Sequence, residues 1–287
     1  MVTEKYGRKF RIFAIVLLLV CSLDCLATVP PSKPQRLVSI CLQGDQLLLQ
    51  LVPRERIIAV SQFAADSDLS AHWEQARGLP VTRGDAEGLV RLTPDLVLAS
   101  SYTPRIVVTA LKHLGVRVLE LGIPNDFDEL RAQIRQAGQC LGEASRAEEI
   151  VHSMDARLEQ LGLRRPELAK RPSALFYFQD GYVPGAHTFA NAILEAAGFR
   201  NIGCNFGSGA GGSASLESIV MARPQFLILT RYREDAPTRT QYSTTQPLFR
   251  KLSAETEIIS VSFRYLASPD PSNLDLAAML QKTFSSQ

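Results

Sequence analysis

Short apolar runs alternate with stretches of helical periodicity along most of the chain, and this alternation predicts an α/β fold with parallel strands. The runs that predict strands are Arg36–Ile40, Ile57–Ser61, Leu96–Ser100, Val116–Leu121, Ala174–Phe178, Phe226–Leu229 and Glu257–Val261. The stretches that predict helices are Gln46–Leu51, Pro104–Leu114, Asp126–Leu141, Ser145–Leu163, Thr188–Ala197 and Leu274–Phe284. Capping-box patterns at Asp126–Glu129 and Ser145–Glu148 indicate where two of these helices start.

One predicted helix is long enough to join two lobes. It starts near Ser145, contains no proline before Leu163 and is roughly 30 Å long at the α-helical rise. A charged connector bounded by prolines follows it. We therefore expect an N-terminal lobe over residues 36–142, a connecting helix over residues 143–165 and a C-terminal lobe over residues 172–287. Because one helix is a stiff hinge, we expect lobe closure of only a few degrees.

The same local pattern occurs once in each lobe. Glu87 and Glu217 each stand seven residues before a proline, Pro94 and Pro224, and an apolar strand follows each proline. An acidic residue near a helix N-terminus is favoured by the helix dipole, so capping explains either glutamate alone. Capping explains less well why both lobes use glutamate in the same register.

The N-terminal segment has the features of a secretory signal peptide over residues 1–27. A basic stretch precedes the uncharged apolar run Ile12–Val20, which is too short for a transmembrane helix, and Ala27 is an acceptable cleavage position. Neither Cys21 nor Cys25 follows the small residue that a lipoprotein signal needs. An uncleaved anchor is the alternative, and it would leave the same domain outside the membrane.

Composition and charge narrow the function classes. The 287 residues are 46% hydrophobic and 21% charged, which is typical of a globular protein and not of a disordered one. Removing residues 1–27 leaves 27 basic and 27 acidic residues from totals of 31 and 29, so a nucleic-acid partner is not expected. Cys41, Cys140 and Cys204 lie far apart, which allows at most one disulfide and argues against a metal or redox role.

Motifs of enzymes are missing or out of context. The stretch Gly207–Gly212 matches a dinucleotide fingerprint but does not follow a hydrophobic strand, so we expect a loop there. The sequence contains no GxSxG elbow and no P-loop, and nothing arranges a catalytic triad. We therefore expect neither catalysis nor a cofactor. A secreted two-lobed α/β hydrolase and a sensor or receptor module without transport remain as the rival interpretations.

Aromatic and polar residues follow the predicted strands. In open α/β sheets ligands bind beyond the carboxyl ends of the strands, so these residues are the candidate ligand contacts. They are Phe63, Tyr102, Gln179, Tyr182, His187, Arg231, Tyr232 and Tyr265. A structural role as half-buried packing residues is about equally compatible with each of them taken singly. The four histidines lack the spacing of metal ligands, so no metal site is predicted.

The ordered series of motifs resembles the periplasmic substrate-binding proteins of ABC importers for cobalamin, iron-siderophores and haem. The matching segments cover nearly the whole mature chain: Arg36–Ile40 with Asp45–Leu48, Glu87–Leu98, Thr188–Ile202 and Leu216–Pro224. The resemblance implies two Rossmann-like α/β lobes with short parallel sheets joined by one long helix, and a small-molecule ligand between the lobes. It also implies a monomer in the periplasm and docking of Glu87 and Glu217 onto arginines of an inner-membrane permease.

The resemblance leaves the ligand open. Family members that bind cobalamin commonly cradle it with several tryptophans, whereas this chain has only Trp73. Haem would use a tyrosine as axial ligand, with Tyr102 or Tyr232 as candidates. A ferric siderophore would use arginines, with Arg231, Arg264 and Arg105 as candidates. Among the histidines, His187 is the one expected near the cleft.

Overall fold

The computed structural model describes residues 33–164, 166–178, 181–232, 252 and 254–285. The strands are β1 (Leu37–Ser39), β2 (Ile57–Ser61), β3 (Val81–Thr82), β4 (Leu96–Ser100), β5 (Val118–Leu121), β6 (Ser173–Tyr177), β7 (Tyr182–Pro184), β8 (Arg200–Asn201), β9 (Gly211–Ser213), β10 (Phe226–Arg231) and β11 (Glu257–Ser262). The helices are α1 (Leu42–Leu51), α2 (Trp73–Ala76), α3 (Ala86–Arg91), α4 (Arg105–His113), α5 (Phe127–Leu141), α6 (Ala144–Leu163), α7 (Phe189–Ala197), α8 (Leu216–Ala222) and α9 (Asn273–Ser285). The predicted signal peptide and Gln179 lie outside these residues.

The N-terminal lobe is built on a parallel sheet with the strand order β3-β2-β1-β4-β5. Val38 of the central strand β1 pairs with Ala59 of β2 on one side and Val97 of β4 on the other. All three residues are fully buried, since helices cover both faces of the sheet. The prediction of parallel strands is confirmed for this lobe.

The C-terminal lobe contains a second parallel sheet with the order β11-β10-β6-β8. Beside it lies a two-stranded antiparallel ribbon of β7 and β9. The ribbon includes the end of the glycine-rich stretch for which the sequence predicted a loop. Gly211 has a φ of 110°, and a Cβ atom there would lie 2.2 Å from the carbonyl oxygen of Val183. The glycine therefore permits close pairing of two backbones and does not form a phosphate-binding turn.

Helix α6 is the predicted long helix of 20 residues. It starts one residue before Ser145, and Ser145 is not its cap, so that part of the prediction is wrong. Gly142 adopts a left-handed conformation, and the N–H of Glu143 donates to the carbonyl of Gly138 at 2.7 Å. This tight turn starts the helix early, and the carboxylate of Glu148 binds Arg135 instead of completing a capping box.

The hydrophobic core continues from one lobe to the other. The ring of Phe127 in α5 packs edge-on against Phe189 in α7, with the centroids 4.9 Å apart. Val151 and Met154 of α6 are buried in the same core. The two lobes are therefore joined by shared packing as well as by the chain.

The repeated glutamate pattern corresponds to a repeated local structure. Asp85 caps α3 and Ser215 caps α8. Each side chain accepts a hydrogen bond from the main-chain N–H of the residue three positions later. Thr93 and Arg223 both have a φ of 45°, and each directly precedes the proline that leads into a buried strand. Since Asp85 and Ser215 act as the caps, the glutamates in the first turns of α3 and α8 are not needed for capping.

Within the part of the chain that the structure describes, no helix is both long enough and apolar enough to cross a membrane.

Candidate ligand-binding site

Two adjoining cavities lie between the lobes, beyond the carboxyl ends of the strands. The first has a volume of about 440 Å³ and the second about 670 Å³. Both are lined by Cys41, Leu42, Ser100, Tyr102 and Ala267, so they form one continuous trough, which we call the cleft. This is the location that the doubly wound topology favours for a ligand.

The first turn of α1 forms part of the cleft wall. The sequence predicted this helix only from Gln46, but it begins at Leu42 because Cys41 acts as the N-cap. The Sγ atom of Cys41 accepts a hydrogen bond from the N–H of Gly44 at 3.4 Å, as a serine hydroxyl would at this position. Burial raises the pKa of Cys41 to about 12, so the group in the cleft is a neutral thiol.

Asp45 ties α1 to the neighbouring strand β2. Its carboxylate accepts hydrogen bonds from the N–H of Ser61 at 2.9 Å and from the hydroxyl of Ser61 at 2.5 Å. Burial raises the pKa of Asp45 to about 6, against the effect of these hydrogen bonds. The Ser61 hydroxyl also accepts from the N–H of Phe63 at 3.2 Å, and this turn directs the chain into the cleft.

Three predicted aromatic residues line the second cavity. Phe63 and Tyr102 come from the N-terminal lobe and Tyr232 from the C-terminal lobe. The Tyr102 side chain is 83% exposed, which is unusual for an aromatic ring of a folded domain. Tyr232 packs against Phe263, with a centroid distance of 5.5 Å. The cavity thus offers aromatic surface from both lobes.

Tyr182 and His187 line the first cavity together with Tyr102. The hydroxyl of Tyr182 donates to the carbonyl of Ala210 on the glycine-rich ribbon. The N–H of His187 donates to the carbonyl of Gly209 at 2.7 Å, and a Cβ atom on Gly209 would lie 2.1 Å from Cδ2 of the imidazole. The imidazole of His187 can therefore occupy this space only because Gly209 has no side chain.

Arg231 and Tyr265 line neither cavity. Arg231 is the last residue of β10, and its Nε atom is buried with no hydrogen-bond partner among the described residues. Tyr265 contacts Arg264, and its carbonyl accepts a hydrogen bond from Asn273 at 2.6 Å. Gln179, the remaining predicted contact, lies outside the described residues.

Two segments of the cleft wall are missing from the sequence prediction. Ile123–Asn125 follows β5 and Leu266–Pro269 follows the short helical turn after β11, and both line the first cavity. The signal that was available is distance from a strand end, since both segments begin two to four residues beyond one.

The cleft is largely apolar and weakly charged. Among the described residues that line the first cavity, none is Lys, Arg, Asp or Glu, whereas Arg83 and Asp85 line the second. Trp73 lies elsewhere, with the guanidinium of Arg77 over its ring at 4.8 Å. In the described part of the chain, no group of three or more His, Cys, Asp or Glu side chains is arranged to hold a metal ion. The arrangement suits a large amphipathic molecule held by aromatic surface and a few hydrogen bonds.

Glu87 and Glu217 are exposed on the outer surface, one in each lobe. The carboxylate of Glu87 lies 2.5 Å from Nη1 of Arg91 on the next turn of α3. The pKa of Glu217 is lowered by a hydrogen bond from its own main-chain N–H and by Ser215. A lowered pKa keeps the Glu217 carboxylate charged at neutral pH and available to a basic partner.

Comparison with known proteins gives a consistent result. A family model described as periplasmic binding protein matches residues 38–256. A cobalamin-binding protein of Halobacterium salinarum is 23% identical over 258 residues, which cover 88% of this chain and 70% of the relative. A periplasmic haem-binding protein of Pseudomonas aeruginosa superposes with a TM-score of 0.70 at 22% identity, covering 88% of this chain and 92% of the other. The vitamin B12-binding protein of Vibrio cholerae gives a TM-score of 0.67 at 16% identity, with coverages of 89% and 99%.

Proposed function

Because the chain belongs to the periplasmic binding protein family, we propose that it is the substrate-binding component of an ABC importer. In this role it captures a cobalamin or an iron complex of the haem or ferric-siderophore type and delivers it to the permease. The observation that carries the proposal is the cleft, which both lobes line with aromatic side chains at the carboxyl ends of their strands. The matched relatives with named cobalamin, B12 and haem ligands support the same class of substrate.

Residues of the cleft support more than one of these ligands. Tyr102 from one lobe and His187 from the other line the first cavity, and both are side chains that ligate haem iron. For cobalamin, aromatic faces would come from Phe63, Tyr102 and Tyr232 in place of tryptophans. For an anionic siderophore, the guanidinium of Arg83, which lines the second cavity, would supply a positive charge.

The proposal includes the path of the protein and its partner. Residues 1–27 would direct export and be removed, which leaves a monomer in the periplasm with lobes over residues 36–142 and 172–287 and a connecting helix over residues 143–165. Glu87 and Glu217 would then dock onto basic residues of the inner-membrane permease. Exposed ion pairs are worth about 0.2–1 kcal/mol each, which suits a partner that must dissociate after delivery.

A thermal-shift screen of the mature chain with cobalamins, haem and ferric siderophores tests the proposal. A true ligand at 100 times its dissociation constant should add about 2.7 kcal/mol to the free energy of unfolding. The Tyr102→Ala variant should lose most of that gain, and Ile106→Ala, an exposed residue outside both cavities, is its control. If no ligand class stabilises the protein and hydrolase assays show turnover, the secreted-hydrolase interpretation is favoured. If the protein binds a ligand but deleting its gene does not change uptake of that ligand by the cells, a sensor is favoured.

A further inference from the structure

The side-chain amide of Gln43 is held in one orientation. Its Nε2 atom donates to the carbonyl of Gly122 at 3.0 Å and to Oε1 of Gln133 at 2.6 Å. The Nε2 atom of Gln133 donates to the same Gly122 carbonyl at 2.8 Å, which fixes the second amide as well. Reversing the Gln43 amide would place its oxygen against two acceptor oxygens. The hydrogen-bond network therefore assigns which end of the amide is the donor.

The other end of this amide is left without a partner. Gln43 is 7% exposed and lines the first cavity, and its Oε1 atom accepts no hydrogen bond from any residue that the structure describes. Ser268, on the opposite lobe, lines the same cavity with a buried hydroxyl that has no partner within the described ranges. The Oε1 atom of Gln43 is accessible from the cavity, so a bound molecule that supplies a donor can form a hydrogen bond with it.

The main chain next to Gln43 offers the complementary group. Leu42 and Gln43 form the first turn of the ten-residue helix α1, and for their N–H groups no acceptor occurs among the described residues. A carboxamide carries both an N–H donor and a carbonyl acceptor, so it fits an acceptor beside free N–H groups. A ligand carboxylate could accept from the same N–H groups, but the Gln43 carbonyl oxygen beside them would repel it, and no Lys or Arg is among the described residues lining this cavity.

We propose that Gln43 is a specificity-determining residue whose fixed Oε1 atom accepts a hydrogen bond from a neutral carboxamide of the ligand. This inference rests on the proposed function and narrows its substrate class. It favours a corrinoid, whose periphery carries carboxamides, over haem, whose side chains end in two carboxylates. Gln133 is then a positioning residue, since it holds the Gln43 amide without touching the ligand.

Calorimetric titration with cobalamin, with a corrinoid bearing a carboxylate in place of one amide, and with haem tests the inference. Wild-type protein should bind cobalamin most tightly. Gln43→Met should weaken cobalamin binding about 3- to 10-fold, the equivalent of one neutral hydrogen bond, and should not weaken haem binding. Gln133→Met should weaken it less. Gln139→Met, on the exposed side of the same helix α5, is the matched control and should behave as wild type.

The outcomes separate this inference from the proposed function. Unchanged cobalamin affinity in a folded Gln43→Met protein overturns the role of Gln43 and leaves the importer function intact. Tight binding of haem with no binding of either corrinoid also overturns the inference alone. The wild-type comparison of the two corrinoids needs no variant, and a preference for the carboxylate form contradicts the proposal even if Gln43→Met fails to fold. If wild-type protein binds no ligand of any class, both the inference about Gln43 and the proposed importer function are refuted.

Discussion

His72 Nε2 lies 3.2 Å from Asp270 Oδ1, and this ion pair joins the N-terminal lobe to the segment that follows the cleft wall Leu266–Pro269. Asp270 is almost fully buried and also accepts a hydrogen bond from Nε2 of Gln50 at 2.6 Å. Burial acts to lower the pKa of His72, but the hydrogen bond and charge of Asp270, with the charge of Asp275, raise it overall. Burial acts to raise the pKa of Asp270, but His72 and Ser272 lower it overall.

The pair should make stability depend on pH. The raised pKa of His72 means that its contribution is present below the ordinary value near 6.5 and is lost as the pH rises through the folded-state pKa. The lowered pKa of Asp270 means that its contribution is present above the ordinary value and is lost as the pH falls through the folded-state pKa. Nearby Arg157 is paired with Asp275, and Arg146 with Glu149.

His72→Gln should therefore lower the free energy of unfolding by about 3 kcal/mol at pH 5.5, because it leaves a buried carboxylate without its cation. At pH 9 the difference from wild type should shrink, since less of the wild-type imidazole is then protonated. Urea unfolding at both pH values measures this. His113→Gln, on the exposed surface of α4, is the control. An equal loss at both pH values would show that packing and not charge is responsible.

Gly209→Ala should reduce ligand affinity without unfolding the protein. The added methyl group would occupy the place of the His187 ring, which must then move, and the cleft would lose a predicted contact. The expected loss is at least tenfold in ligand affinity by titration, with a melting temperature close to that of wild type. Gly162→Ala is the matched control, since a Cβ atom there has no neighbour within 4 Å. If the Gly209→Ala variant binds the ligand as tightly as wild type does, His187 does not contact the ligand.

The double variant Glu87→Ala/Glu217→Ala should bind ligand normally and abolish uptake. Both carboxylates are exposed and lie outside the cleft, so only contact with the permease should be lost. Uptake of labelled ligand by cells that carry the permease measures the effect. The control is Glu74→Ala/Glu159→Ala, which removes two other exposed carboxylates. Normal uptake in the first variant, or equal loss in both, refutes the docking role.

Ligand binding should change the shape of the molecule very little. The lobes share one hydrophobic core through α5, α6 and α7, and Phe127 packs on Phe189 directly between them. A wide hinge motion would have to separate these rings, whereas a rotation of a few degrees would not. X-ray scattering with and without ligand should therefore give nearly the same radius of gyration. A strong decrease on binding would show a clamp-like closure.

Strands buried on both faces were the most predictable part of the fold. Ile57–Ser61 and Leu96–Ser100 match β2 and β4 residue for residue, because their continuous apolar runs have few alternative structures at that length. The predicted helix Thr188–Ala197 likewise corresponds to α7, since Thr188 caps its start and Gly198 adopts the left-handed conformation at its end.

Features that depend on contacts between residues far apart in the sequence could not be predicted from the sequence. Cys41 is an uncommon helix cap, and the turn that it caps packs closely on Leu98 of β4, where a Cβ atom on Gly44 would lie 2.9 Å from Cβ of Leu98. Tyr265 follows β11 in sequence, but the short helix Phe263–Tyr265 turns the chain so that the next residues line the cleft instead. The Gln43–Gln133 contact joins positions 90 residues apart, so no local pattern indicates it.

A crystal structure of the mature chain with the ligand found in the screen tests the central claim most directly. The account predicts ligand density in the cleft, in contact with Tyr102 of the N-terminal lobe and His187 of the C-terminal lobe. Density confined to the outer face of one lobe, with the cleft filled only by solvent, would contradict it.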